Sequence, residues 1–303
     1  MRILVSYRGI PQSPGWSTGD MVVKAFRALG HKVFPYAKYY QENRWVDERP
    51  PLDRYDWDLI LVLECNDGEP QYPELRITRA RKKACWLFDT SYHEDRYTLF
   101  AKYFGFDYHF LANPLTVQEY KVWEFSNVHY LPYACDRDLH GRSLERPKTR
   151  DVVLVGSIRD DRLKLARELS ILGVDLELIG DVFREDYIDA LASAKIVVNQ
   201  NPMEGRGLLN MRFWEAQAAG AYVLTEREDL SLNAEFITPC IAGSYKGPRD
   251  LASQCNSLLC EQDLNQIMTN ALIHSSQKYA FEHHTYQNRC ETILDTIFPH
   301  ERN

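Results

Sequence analysis

Asn210, Arg212 and Glu215 stand two to five positions apart among the apolar residues of Leu208-Leu209-Asn210-Met211-Arg212-Phe213-Trp214-Glu215-Ala216. Before them runs Glu204-Gly205-Arg206-Gly207, and after them come Gly220 and the apolar run Ala221 to Thr225. The order reads as a glycine-bearing turn, a helix, a stop and a strand. A glycine turn lets a ligand approach the backbone, and the amides of a first helical turn attract anions. A carboxylate deeper in the helix accepts hydrogen bonds from sugar hydroxyls. Together these capacities suit a sugar nucleotide. The bland alternative is an intrahelical pair, because Arg212 and Glu215 share a helix face.

Three more segments carry groups of this kind. Val155-Gly156-Ser157-Ile158-Arg159-Asp160-Asp161-Arg162 places a glycine and a serine where a strand turns into a helix. Its amides can face an anion, and Arg162, ahead of Arg159, can add a bidentate contact to a diphosphate; otherwise Arg162 is a solvated surface arginine. Near the start, Arg8, Gly9, Trp16 and Ser17 lie in a loop between the first strand and a helix. That loop admits a phosphate or sugar, or is a plain turn with Ser17 as the helix cap, and its spacing is neither G-x-G-x-x-G nor a P-loop. In Asp89-Thr90-Ser91-Tyr92-His93, Asp89 and His93 are candidate general bases toward an acceptor hydroxyl, and Asp89 or Ser91 is equally a helix cap.

Other signals fail on position. Asp56-Trp57-Asp58 has a metal-binding form but precedes its strand, and Asp136-Arg137-Asp138 falls in a polar stretch, so no metal site is expected at either. His283-His284 lacks partners at zinc spacing. Arg76, Arg79, Arg81, Lys82 and Lys83 read as a solvated helix face, with acceptor or nucleic-acid binding as the minority reading.

The elements that must hold these groups alternate regularly. Ile3 to Ser6, Lys32 to Pro35, Leu59 to Leu63, Ala84 to Phe88, Tyr108 to Leu111 and Val128 to Leu131 are strand candidates, separated by stretches long enough for crossover helices. The series restarts at Val152 to Val155 and continues through Leu176 to Ile179, Ile196 to Val198, Tyr222 to Leu224 and Cys240 to Ala242. Asp161 to Leu172 and Glu185 to Ala192 are helices of this second series, and the chain beyond Leu251 is helical in pattern. Such alternation predicts an α/β protein with parallel sheets covered by helices. In such sheets ligands sit beyond the C-terminal ends of the strands, which singles out the loops above. The polar stretch Asp136 to Arg150 is the linker candidate, giving domains 1–140 and 141–303, with the last helices able to pack back on the first domain.

Composition narrows the class further. A net charge of -7 argues against a protein whose main task is neutralising a polyphosphate. The seven cysteines are scattered without a C-x-x-C pair, as expected of reduced thiols with neither disulfides nor zinc. No apolar run reaches the roughly 20 residues of a membrane span. The strand pattern beginning at Ile3 leaves no room for a signal peptide, so the expected location is cytoplasmic.

Gly156-Ser157 with Arg162, the run Leu208 to Ala216 with Gly220-Ala221, and His284-Thr285-Tyr286 with Arg289 resemble the second domain of the CgeB-like, spore-maturation type glycosyltransferases. The first half is similar only in general pattern, and Leu131-Pro132-Tyr133 with Asp136 resembles the crossing between domains of related enzymes. The resemblance implies a GT-B architecture, two Rossmann-like domains with parallel sheets facing a central cleft. It implies a hexosyl- or pentosyltransferase moving sugar from a nucleotide-sugar co-substrate to a hydroxyl acceptor without a required metal or other cofactor. Donor binding then falls to Gly156, Ser157, Arg162, Asn210, Arg212 and Glu215, and the acceptor-side loop to Arg8, Gly9, Trp16 and Ser17. Asp89 and His93 are the catalytic candidates, and the acceptor is a glycan, protein, small molecule or DNA. Many related retaining enzymes carry a first glutamate eight positions before the second; here Glu215 is preceded at that distance by Gly207, which leaves the stereochemical course open. The alternatives are a transferase modifying DNA bases and a non-catalytic nucleotide-sugar binding module.

Overall fold

The computed structural model describes residues 1–8, 16–41, 44–47, 49–63, 72–88, 90, 94–141, 146–201, 207–233, 242–260 and 263–300. The chain divides into two compact units, one formed by Met1–Pro132 with Tyr286–Asn303 and the other by Tyr133–Thr285.

The first unit is built on β1 (Arg2–Ser6), α1 (Thr18–Ala28), β2 (Lys32–Tyr36), β3 (Lys38–Gln41), β4 (Arg44–Asp47), β5 (Trp57–Leu63), β6 (Ala80–Leu87), α2 (Glu94–Phe104), β7 (Tyr108–Leu111), α3 (Pro114–Val122) and β8 (Val128–Tyr130). Six of its strands form a parallel sheet in the order β2-β1-β5-β6-β7-β8, while β3 and β4 pair antiparallel as a separate hairpin. Continuous aliphatic runs such as Leu59 to Leu63 suit strands covered on both faces, and Leu59, Ile60, Leu61 and Leu63 are all buried.

Charged residues at the start of β6 hide its true beginning. Arg81, Lys82 and Lys83 are strand residues, so the helix-face reading of the basic cluster is corrected. Each is tied down locally: Arg81 pairs with Asp58 at 3.1 Å, Lys82 lies over the Tyr108 ring, and Lys83 Nζ donates to the carbonyls of Leu75 and Arg76. The C-terminal α11 (Tyr286–Ile297) belongs to this unit and packs along α1, with Cys290 Sγ 3.8 Å from the Val22 carbonyl.

The second unit comprises α4 (Arg137–His140), β9 (Arg150–Val155), α5 (Asp160–Ile171), β10 (Leu176–Ile179), α6 (Arg184–Ala192), β11 (Ala194–Asn199), α7 (Met211–Ala218), β12 (Tyr222–Glu226), α8 (Arg227–Leu232), β13 (Gly243–Tyr245), α9 (Gly247–Leu259) and α10 (Asp263–His283). Its five strands are parallel in the order β10-β9-β11-β12-β13. The final strand starts at Gly243, later than the expected Cys240 to Ala242, of which Cys240 lies outside the described residues. A short helix, α4, lies inside the polar stretch read as a linker, held at its start by Asp136, whose carboxylate accepts from the amides of Asp138 and Leu139 at 2.9 Å. No helix among the described residues is long and apolar enough to cross a membrane.

Candidate functional site in the second unit

The chain crosses from β9 to β10 on one side and then from β10 to β11 on the other side of β9, so the C-terminal ends of β9 and β11 open at a topological switch point. Three of the expected residues meet there. Gly156 follows β9 with φ of +127°, a conformation that side chains rarely adopt. A Cβ at Gly156 would lie 2.5 Å from Arg212 Nη2 and 3.1 Å from Arg162 Nη1. Only a glycine lets the two guanidinium groups close on the turn together.

Arg162 is not the solvated surface arginine of the alternative reading; it is 2% exposed. Its Nη1 donates to the Ser157 carbonyl at 2.6 Å and its Nη2 to the Gln200 carbonyl at 3.3 Å. One side chain thus ties the loop after β9 to the loop after β11 across the switch point. Arg159, by contrast, is engaged by Asp161 at 2.9 and 3.0 Å, which holds the Asp161 carboxyl below its usual range. Ser157 is exposed, and no side chain among the described residues caps α5 at Arg159.

The opposite wall is the segment entering α7. Asn210 donates from Nδ2 to Asn201 Oδ1 at 2.6 Å, and no side-chain cap is present at the start of α7 among the described residues. Asn201 Nδ2 in turn donates to Asp229 Oδ2 at 3.0 Å and to the Leu208 carbonyl. The Gly207 amide donates to Asp229 Oδ1 at 2.6 Å, while Asn233 Nδ2 donates to the Gly207 carbonyl at 2.9 Å. A fully buried carboxylate on the short α8 therefore fixes the loop that delivers Asn210 and Arg212. Asp229, Asn233 and Asn201 were not anticipated. The available signal was the Asp229 and Asn233 pair, one helical turn apart just after an apolar strand.

Glu215 lies one turn beyond Arg212 and is 3% exposed. It is not paired with Arg212. Tyr187 OH donates to its Oε2 at 2.5 Å, and His140 Nε2 is 3.4 Å from its Oε1. His140, from α4, is itself buried, with Nδ1 3.0 Å from the Asp136 amide nitrogen. Each carboxylate oxygen can accept more than one hydrogen bond, so this clamp leaves Glu215 acceptor capacity while holding it still. At the same end of the sheet Glu226 closes β12. Burial, reinforced by Asp229, Glu228 and Asp161, pushes its carboxyl up to about 7.

In the first unit, Ser17 caps α1 in a reciprocal box with Asp20: Ser17 N donates to Asp20 Oδ2 at 3.0 Å and Asp20 N to Ser17 Oγ at 3.3 Å. Arg8 is exposed and Trp16 half-buried; Gly9, Asp89, His93, Glu204, Gly205 and Arg206 lie outside the described residues. Asp58 serves Arg81 and the Arg2 amide at the start of its strand. His284 stacks on Trp214 with ring centroids 3.9 Å apart. No group of three or more His, Cys, Asp or Glu side chains converges as a metal-binding set among the described residues.

The chain has similar solved structures over nearly its whole length. A glycosyltransferase from Rickettsia africae is 13% identical with a TM-score of 0.60, covering 100% of this chain and 99% of that one. Sucrose-phosphate synthase from Thermosynechococcus elongatus is 12% identical with a TM-score of 0.62, covering 98% of each chain. The Anabaena protein HepE, in complex with UDP-glucose, is 12% identical with a TM-score of 0.59, covering 98% of this chain and 99% of that one. At these identities the likeness is one of fold, and the fold is GT-B. No curated protein matches the sequence. A profile described as glycosyl transferase-like matches residues 141–295, half of the chain, and the protein belongs to that family of glycosyltransferases.

Proposed function

We propose that this chain is a CgeB-like glycosyltransferase that moves a hexosyl or pentosyl group from a nucleotide sugar to a hydroxyl acceptor. The carrying observation is the convergence of Arg162 and Arg212 on Gly156 at the switch point. Two planar guanidinium groups at one glycine turn match the charge and fork geometry of a diphosphate. Gly156 and Ser157 offer the turn itself, Asn210 stands at the start of the helix that carries Arg212, and Glu215, held by Tyr187 and His140, receives the ribose hydroxyls.

In the reaction the acceptor oxygen bonds to the anomeric carbon as the bond to the diphosphate oxygen breaks. Negative charge grows on the leaving diphosphate, where preset cations stabilise it most strongly. Arg162 and Arg212 supply that stabilisation without a divalent ion. Acceptor contacts are assigned to Arg8, Gly9, Trp16 and Ser17, and proton removal to Asp89 first and His93 second. Cys85, Cys135, Cys255, Cys260 and Cys290 stand as thiols outside any disulfide, which fits a cytoplasmic enzyme.

UDP-glucose, the ligand in the HepE complex, is the first donor to try. A thermal-shift screen of UDP, GDP, dTDP and CDP sugars tests the reading, because a ligand binding only the folded state adds about 2.7 kcal/mol at a hundredfold excess over Kd. One nucleotide series is expected to raise the melting temperature, and no shift with any series would remove the donor site. Asp89→Ala is expected to abolish transfer while leaving that shift intact.

A further inference from the structure

The donor loops occupy the C-terminal ends of the second sheet. At its other end, where the parallel strands begin, lies a separate cavity of about 460 Å³. Lys148 stands just before β9, Lys195 is the second residue of β11, and Gly220 joins α7 to β12; Leu259, Ile273 and His274 line the cavity from α9 and α10.

Lys148, half-buried, is its central cation. Its Nζ donates to the Ala192 carbonyl at 2.8 Å and to the Gly220 carbonyl at 2.5 Å, binding together the C-terminal ends of α6 and α7. An ammonium carries three N–H bonds, and the third has no acceptor among the described residues. Partial burial pushes the group down to about 8, so it is still charged at neutral pH, and an anion beside it would offset the cost of keeping that charge out of water. Lys195, the other lysine of the wall, is already paired with Asp151 at 2.7 Å. Leu259 and Ile273 give the cavity an apolar side.

We propose that this cavity binds a small organic carboxylate with an apolar body, its carboxylate accepting the third N–H of Lys148 and its body resting on Leu259 and Ile273. The ligand is bound at the opposite end of the sheet from the diphosphate site. Because Lys148 holds the Gly220 carbonyl at the end of α7, occupancy tightens the C-terminal turn of that helix.

Calorimetric titration of the full chain with benzoate and hexanoate tests the site, with benzamide as the neutral isostere. Saturable binding of an acid is expected, with benzamide weaker by at least about tenfold, the worth of a charge-assisted hydrogen bond. Ile273→Trp, which fills the cavity from a partly exposed position, is expected to lose acid binding while keeping the wild-type melting temperature. Hydrogen exchange is expected to slow at residues 216–220 on binding. Equal affinity for benzoate and benzamide, unchanged binding in Ile273→Trp, or no saturable binding of either acid would overturn the proposal. None of these readouts depends on transferase activity, so the outcome is separable from that of the donor site.

Discussion

In the first unit the helix after β1 is closed by the protein itself, whereas in the second the helix after β9 opens onto two arginines. Both turns follow the first strand of a parallel sheet, at the place where strand order reverses. At α1, Ser17 and Asp20 satisfy each other, and Tyr7 OH donates to Asp20 Oδ1 at 2.8 Å. The Tyr7 ring covers Gly19 so closely that a Cβ there would lie 2.0 Å from its Cγ. At α5 no side-chain cap is present among the described residues, and the glycine makes way for guanidinium groups. The same place in the fold, the helix that follows the first strand, is thus closed by side-chain packing in one unit and carries the proposed diphosphate site in the other.

The largest expected effect lies in the second turn. Arg212→Met should lower kcat/KM for the donor by ~10³-fold, the scale for losing a preset transition-state donor, with little change in melting temperature. Steady-state kinetics against a thermal melt check both halves. Next comes one substitution made in both turns. Gly19→Ala should cost ~3 kcal/mol of stability, because the Tyr7 ring cannot give way without repacking the core. Gly156→Ala should also cost about 1–2 kcal/mol through its φ of +127°, but in addition lower donor affinity, because the atom its Cβ meets is the mobile end of Arg212. If both variants lost only stability, the contrast between the turns would fail.

Acid should also separate the units. Burial pushes His109, in the first unit and 2% exposed, down to about 4. Above pH ~6.5 the ring is neutral folded and unfolded; below it only the unfolded chain takes the proton, so stability falls as pH drops from ~6.5 toward 4. About 2 kcal/mol should be lost by pH ~4.5, and His109→Gln should remove this share. Denaturant titrations read by tryptophan fluorescence report it, because Trp57, Trp86 and Trp123 all lie in this unit. Glu226 in the second unit behaves oppositely. Its raised pKa means that the folded state keeps a proton the unfolded chain has released, so stability falls as pH rises from ~4.5 through 7. Glu226→Gln should therefore add ~1 kcal/mol at pH ~8, after allowance for its partial exposure, and little at pH ~5. Hydrogen exchange in β12 at the two pH values measures it.

Both sheets were legible in the sequence because strands buried on two faces leave unbroken aliphatic runs, as at Leu59 to Leu63 and Val152 to Val155. Where a strand end meets solvent the signal disappears, and Arg81 to Lys83 of β6 read as a helix face. The hairpin of β3 and β4 carries Tyr39, Tyr40 and Trp45 but no aliphatic run, and it was missed. Within the candidate site, Gly156, Arg162, Asn210, Arg212 and Glu215 could be read because each lies in a turn or helix with its own local pattern. Their supports could not. Tyr187 reaches Glu215 from 28 residues away, Asp229 reaches the Gly207 amide from 22, and His140 lies 75 before Glu215 in a stretch that resembled a linker. Such contacts are set by strand order, which no local spacing encodes.

The central claim is that Arg162 and Arg212 hold the diphosphate of a nucleotide sugar at the Gly156 turn. Calorimetric titration of UDP into the wild-type chain and into Arg162→Met and Arg212→Met, all in chelator, tests it most directly. Saturable binding to the wild type, weakened by at least about tenfold in each variant, is the predicted result. Equal affinity in all three proteins, or binding by the wild type only after a divalent cation is added, would contradict it.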